Sequence, residues 1–395
     1  MFSYSPNFWK LCLSMFFFTA SFNLIIPELN EFLTNLNGAH LKGFVIALFT
    51  VSAGVSRPFS GKLSDHIGRK KVMIAGGMIC FLVSLLYPLS HTIWFFLLLR
   101  FLHGFSAGFF PTGATALVTD ILPEETRGRS MGIWGTFISL GIGFGQAFSS
   151  LSKDLLGTSG MFMAAGGLSI LSLLFLAKIR ETLQKTERFQ LQHLSIKKDE
   201  IIEPNVIPVA VIMFLSAICS GIIFVLSPEM SDFLNISAKG WFFVWYVIAT
   251  IGFRLFGGSI SDRFGRRETL IVGMIILTAS MLLIGMSESK IWFTLSSVLF
   301  GVATGICSPT IFAWTADLSP FHRRGIGAGT MFIALEFGIF AGSMIVNVLY
   351  NNRLNSVFGI FLIGAIAAFL CVVYLIWHLV RFPKTKKIPD EAGTV

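Results

Sequence analysis

Apolar runs long enough to cross a bilayer recur along almost the whole chain, and they constrain its fold more than any other feature. One of them, "IWFFLLLRFLHGFSAGFF" at 93–110, holds one arginine and one histidine among eighteen residues. At 1.5 Å of rise per residue, a helix of this length matches a hydrocarbon core about 30 Å thick. Membrane-spanning strands alternate apolar and polar residues over about ten positions, and these segments lack that period. Only 13% of the 395 residues are charged, against roughly 25% in soluble proteins. The sequence therefore predicts an all-α integral membrane protein.

Breaks at charged or turn-rich stretches divide the chain into twelve spans: 8–28, 43–62, 72–90, 92–119, 129–150, 160–178, 206–229, 239–260, 269–286, 290–317, 325–348 and 355–380. The one long polar stretch, "IRETLQKTERFQLQHLSIKKDEIIEPN", separates the sixth span from the seventh. The expected organisation is a six-helix bundle over 1–178, a linker over 179–205 and a second six-helix bundle over 206–395. The opening apolar run is too long for a signal peptide and lacks a small-residue cleavage site, so it reads as a retained first span.

A formal charge of +9 and a pI near 9.4 invite a nucleic-acid reading, which the location of the bases excludes. Threading the spans with the N-terminus in the cytoplasm puts 22 of the 30 Lys and Arg on that face, in the even-numbered loops, the linker and both termini. This asymmetry is the positive-inside rule, so both termini and the linker are expected in the cytoplasm. Arg57, Arg100 and Arg254 fall within spans. The five cysteines, Cys12, Cys80, Cys219, Cys307 and Cys371, lie in apolar segments without metal-ligand spacing and read as core residues. No Gly-x4-Gly-Lys-Ser/Thr loop is present, and neither a cofactor nor a metal is implied.

The two sets of spans are copies. "PELNEFL" at 27–33 matches "PEMSDFL" at 228–234. Beyond the next loop the register is 197 residues, pairing Arg57 with Arg254, Gly61 with Gly258, Asp65 with Asp262, Gly68 with Gly265, Arg69 with Arg266, Asp120 with Asp317 and Arg127 with Arg324. Parallel six-span repeats of this kind belong to transporters whose halves rock about a central site.

On these residues the chain resembles the major facilitator superfamily, along essentially its whole length. The loop between spans 2 and 3 carries the family pattern Gly, three residues, Asp, base, any residue, Gly, Arg, base, as Gly61, Asp65, His66, Gly68, Arg69 and Lys70. His66 stands where a base is usual. The second copy, Gly258, Asp262, Arg263, Gly265, Arg266 and Arg267, is complete. The resemblance implies a cytoplasmic gate in which Asp65 engages the start of span 11 near Gly325, together with Arg127 or Arg129. The alternative is that the bases set topology alone.

Span 4 resembles the pattern of proton-coupled members, with Arg100 as the family arginine and His103 where Gln is usual. Arg100 then tunes a nearby acid, holds a substrate anion or serves the structure; His103 titrates or satisfies hydrogen bonds. Span 5 keeps the antiporter glycines Gly132, Gly141 and Gly145, but Gln146 replaces the following proline, and Ser149 with Ser150 replace the final glycine pair. Glu336 in span 11 lies near mid-membrane, where an ionised carboxylate must find a proton or a partner. It is either a proton or cationic-substrate site or a structural hydrogen-bonding group. Asn23 and Gln146 are candidate cavity groups, and Glu28 and Glu229 either gate the outer end or sit solvated there.

The reading is a monomeric secondary transporter in a bacterial inner membrane, without catalytic residues, exporting small amphipathic compounds in exchange for protons. An uptake symporter or uniporter for a sugar or metabolite is the alternative.

Overall fold

A computed structural model describes residues 5–121, 127–183, 186–195, 201–318, 324–351 and 354–382. Within them, side chains are described except at 65, 119, 127–132, 191–192, 255–259, 262, 316, 324–326, 328 and 354–356. Thirteen α-helices occupy the described residues. The first seven are α1 (Pro6–Ile25), α2 (Leu29–Asn35), α3 (Lys42–Ile67), α4 (Arg69–Leu86), α5 (Ile93–Ile121), α6 (Arg127–Ala147) and α7 (Ser149–Ala177). The other six are α8 (Ile207–Phe233), α9 (Trp241–Phe264), α10 (Arg266–Gly285), α11 (Lys290–Leu318), α12 (Arg324–Leu349) and α13 (Leu354–Arg381).

Twelve of these match the expected spans, and α2 continues the first span after a 3-10 turn at Ile26–Glu28. The seven-residue α2 is too short to cross a bilayer by itself. Among the described residues ten helices, some extended by an adjoining turn, are long and apolar enough to span a membrane by length and composition, with a shorter apolar stretch at Trp241–Arg254. The sixth span begins later than its helix does. Gly157, at φ 72 and ψ 171, interrupts α7 and separates a polar first stretch from the apolar remainder.

The packing repeats as the sequence does. α1 lies against α6 and α7, α3 against α5, and α4 against α5 and α7; correspondingly α8 lies against α12 and α13, α9 against α11, and α10 against α11 and α13. The result is two pseudo-symmetric six-helix bundles. Gly141 and Gly145 sit against α1, where a Cβ would stand 2.1 Å from Thr19 Oγ1 and 2.6 Å from the Ala20 carbonyl oxygen. The small residues that the sequence placed in span 5 thus permit the expected close approach. Between the bundles, α3 packs on α12 and α6 on α9.

The linker is docked on the first bundle. Glu181 accepts from the Arg69 and Lys70 amides at 3.1 and 3.0 Å and so caps the start of α4. A carboxylate there satisfies exposed amides and complements the positive helix end. Lys62 donates to the Ser195 carbonyl at 2.6 Å.

Candidate transport site

α3 and α12 bring opposite charges together across the boundary between bundles. Arg57 Nη2 on α3 donates to Glu336 Oε1 on α12 at 2.9 Å. Gly54, nearly one turn before Arg57, permits the approach, because a Cβ there would already stand 3.2 Å from Glu336 Cβ. Pro58 lacks an amide hydrogen and so denies the Gly54 carbonyl its helical donor, loosening α3 beside the pair. Arg57 Nη1 also donates to Thr112 Oγ1 at 3.3 Å, and its guanidinium lies 4.6 Å from the Phe332 ring centre. Arg57 is 8% exposed and Glu336 7%. A lone charge at this depth costs at least about 2.5–3.5 kcal/mol. Separating the pair therefore requires a new partner for each charge, and a proton on Glu336 is the smallest.

Arg254 on α9 of the second bundle repeats the cation, and among the described residues it makes no ion pair. Arg254 Nη1 donates to Ser139 Oγ at 2.7 Å and to the Gly135 carbonyl at 3.2 Å, and Nη2 donates to Ser308 Oγ at 3.3 Å. In the 197-residue register Ser139 is the counterpart of Glu336, and Gly135 of Phe332. Sequence reasoning noted both arginines as intramembrane cations in register, yet placed neither in the candidate site. That register was the available signal.

Arg100 and Glu336, each a candidate from the sequence, are not brought together. Arg100 is 1% exposed and lies inside the first bundle, donating through Nε to the Val45 carbonyl at 2.9 Å and through Nη1 to Tyr87 Oη at 3.3 Å. Its guanidinium rests 4.7 Å from the Phe49 ring centre. Tyr87 Oη continues to His103 Nδ1 at 3.1 Å, and His103 Nε2 to Cys80 Sγ at 3.2 Å. Asn23 and Gln146 do meet: Gln146 Nε2 donates to Asn23 Oδ1 at 3.1 Å, while Asn23 Nδ2 donates to the Thr19 carbonyl at 2.8 Å.

At the end away from the main cluster of bases, the bundles are joined by crossed ion pairs. Lys42 Nζ of the first bundle contacts Glu229 Oε2 of the second at 2.8 Å. Asn30 Nδ2 and Tyr350 Oη each donate to Glu229 at 3.2 Å. In the mirrored arrangement Lys239 of the second bundle pairs with Glu31 and lies 3.8 Å from Glu28 of the first. Lys153 also pairs with Glu31 and holds Glu28 at 3.1 Å. Burial opposes the charge of Lys239, but hydrogen bonding to Glu31 and the fields of Glu28 and Asp232 raise its pKa above the ordinary value. Gly43 and Gly240 let the helices meet here. A Cβ at Gly43 would lie 2.3 Å from the Ser343 carbonyl oxygen, and one at Gly240 2.0 Å from that of Gln146.

At the basic end the repeated loops also fold alike. Gly68 and Gly265 take φ values of 123 and 105, a region that disfavours other residues. Arg69 Nε pairs with Asp120 Oδ2 at 3.2 Å and Arg266 Nε with Asp317 Oδ2 at 3.0 Å, each within its own bundle. Lys70 Nζ donates to the Ala177 and Ile179 carbonyls, and Arg267 Nη1 to the Phe382 carbonyl at 2.6 Å. Around Gly61 nothing comes within 4 Å of a would-be Cβ. The side chains of Asp65, Asp262, Arg127 and Ile326 and the surroundings of Gly258 and Gly325 lie outside what is described.

His66, which departs from the family pattern, turns to the linker. His66 Nδ1 and His193 Nε2 lie 3.2 and 2.9 Å from the two oxygens of Glu187. The three offer ligand atoms within 4.8 Å of one another. The Gln190 amide, however, donates to His193 Nδ1 at 3.1 Å. That places the proton on Nε2, the atom facing Glu187, and makes the ring a donor to the carboxylate. The two hydrogen bonds, His193 first and then His66, hold Glu187 below its ordinary pKa.

The sequence pattern of the Major Facilitator Superfamily matches residues 11–207 and 209–394. Similar proteins include the multi-drug resistance efflux pump PmrA homolog of Lactococcus lactis, 21% identical over 97% of this chain and 96% of its own. PmrA of Streptococcus pneumoniae is 24% identical over 94% of each chain. The quinolone resistance protein NorA of Staphylococcus aureus is 25% identical over 89% of this chain and 92% of its own. The crystal structure of the human organic anion transporter MFSD10 shares the fold, with a TM-score of 0.71 at 19% identity, covering 94% of this chain and all of that one.

Proposed function

The chain belongs to the major facilitator superfamily, and from that membership we propose that it exports small amphipathic compounds in exchange for protons. The Arg57–Glu336 contact carries the reading. It joins the two bundles at mid-depth, and its strength depends on whether Glu336 is ionised. A proton on Glu336 removes the charge that holds Arg57 and releases α3 from α12; its departure lets the contact re-form. Export as the direction draws on the relatives named as efflux pumps.

In this mechanism residues 1–178 and 206–395 rock as bodies, with 179–205 as their cytoplasmic connection. The crossed Lys42–Glu229 and Lys239–Glu31 contacts close the outer end and must part before that end opens. Asp65 and Asp262, with Arg127 and the Arg69 and Arg266 loops, form the opposing cytoplasmic latch. Arg100 positions α3 against α5 through the Val45 carbonyl, Arg100 and His103 hold Tyr87 after α4, and Asn23 with Gln146 lines the path beside α6. A single chain in the bacterial inner membrane suffices.

Proteoliposomes holding the purified protein and a pH gradient test this. A neutral amphipathic dye should move against protons without ATP, and Glu336→Gln should abolish proton movement on dye addition. Undiminished coupled flux in Glu336→Gln would sink the proposal.

A further inference from the structure

We infer that Arg254 is the docking point for the carboxylate of an amphipathic substrate, which takes beside it the place that Glu336 takes beside Arg57. This rests on the transport reading above and adds to its substrates amphipathic compounds that carry an acid group.

The internal repeat supplies the argument. Around Arg57 the protein provides one carboxylate, from Glu336, and one aromatic face, from Phe332. The register replaces these two with Ser139 and Gly135 around Arg254. The guanidinium has settled over Gly135, with Nη2 3.0 Å from where a Cβ would stand. Its three hydrogen-bond partners, Ser139 Oγ, the Gly135 carbonyl and Ser308 Oγ, are all uncharged. Among the described residues Arg254 makes no ion pair. A guanidinium does not lose its proton, so this cation carries a charge that no described side chain balances by an ion pair.

Depth and access fit a ligand. Arg254 is thirteen residues beyond the start of α9 at Trp241, roughly 20 Å along the helix. It is half-buried, whereas Arg57 is buried. A guanidinium presents its donors as a planar fork that matches a carboxylate. What the Arg254 site lacks relative to the Arg57 site is an acid and a ring, which is the chemistry of an aryl carboxylate. The transported molecule would complete at Arg254 the arrangement that the protein completes for itself at Arg57.

The test uses the full chain in lipid nanodiscs, with 2-naphthoate and its neutral methyl ester as probes in equilibrium binding. The native protein should bind the acid at least about tenfold more tightly than the ester, the span expected for one charge-assisted contact being about tenfold to a hundredfold. Arg254→Gln should bring the ratio close to one, and Arg254→Lys should restore part of it. Ser139→Glu should also erase the preference, by supplying the missing carboxylate from α6, while its thermal midpoint stays at or above the native value. That variant keeps the test decisive if Arg254→Gln folds poorly. Chloride replacing sulfate at constant ionic strength should leave naphthoate affinity unchanged; competition by chloride would assign the arginine to inorganic anions and overturn the inference. Absence of naphthoate binding, equal binding of acid and ester, or a ratio that survives Arg254→Gln would also overturn it. Proton exchange with the neutral dye reports on the transport reading independently, so the inference can fail while that reading stands.

Discussion

Arg57 and Arg254 occupy the same place in two copies of one bundle, yet among the described residues only Arg57 is paired with an acid. Arg57 faces Glu336 and Phe332; Arg254 faces Ser139 and Gly135. Even the third partner is displaced by one position. Thr112 follows Pro111 in α5, whereas Ser308 precedes Pro309 in α11. The duplicated backbone keeps the cation in place while a few side chains decide what neutralises it. A duplicated fold can thereby hold two different electrostatic devices about one pseudo-twofold axis.

The largest effect should come from breaking the neutralised site. Removing one partner of a buried ion pair typically costs about 3–5 kcal/mol. Arg57→Gln or Glu336→Gln should therefore lower the thermal midpoint in detergent far more than Arg57→Gln with Glu336→Gln together. Equal losses in single and double variants would mean that the pair contributes no coupling energy.

Moving the carboxylate sharpens the comparison. Ser139→Glu combined with Glu336→Ser transfers the anion from Arg57 to Arg254, and the register predicts a folded protein within about 2 kcal/mol of the native one. Thermal melts of the double variant beside each single variant measure this. A double variant less stable than Glu336→Ser alone would show that the two arginine sites are not equivalent in geometry.

The crossed pairs at the far end should matter less, because their side chains retain some exposure. Lys42→Gln and Lys239→Gln should each weaken the closure by about 1 kcal/mol or less. That corresponds to labelling up to about fivefold faster, by an impermeant maleimide, of a cysteine introduced at Asn23. A rise with one lysine only would show that the closure is asymmetric as the mid-depth sites are.

The smallest effect is a pH dependence of the same closure. The pKa of Lys239 is raised above its ordinary value of 10.5. Its contribution is then complete below that value and lost as pH rises through the folded pKa. The labelling rate should be flat at neutral pH and climb only in strongly alkaline buffer, a step that Lys239→Gln removes.

Much of this was legible beforehand, for reasons that differ by feature. The spans were readable because the bilayer demands about twenty apolar residues per crossing, and Gly157 explains why the sixth span starts later than its helix. The copies of the charged loop were readable because Gly68 and Gly265 need a backbone region that few other residues tolerate. The partner of Glu336 was not readable in the sequence. Arg100, singled out by family resemblance, is satisfied by Val45 and Tyr87 within its own bundle, while Arg57 reaches Glu336 from a position 279 residues away. His66, read as a departure from the pattern, found its reason in Glu187 of the linker.

By itself, then, the sequence determined the spanning helices, the repeat and the segregation of bases, since each follows from local composition against the bilayer or from register along the chain. Which intramembrane arginine meets the acid was decided only in the tertiary structure. That choice turns on the contact of α3 with α12 and on Gly54, whose missing side chain lets Glu336 approach. Charge can be counted along a chain, but whether it is neutralised depends on helices that meet only after both bundles have formed.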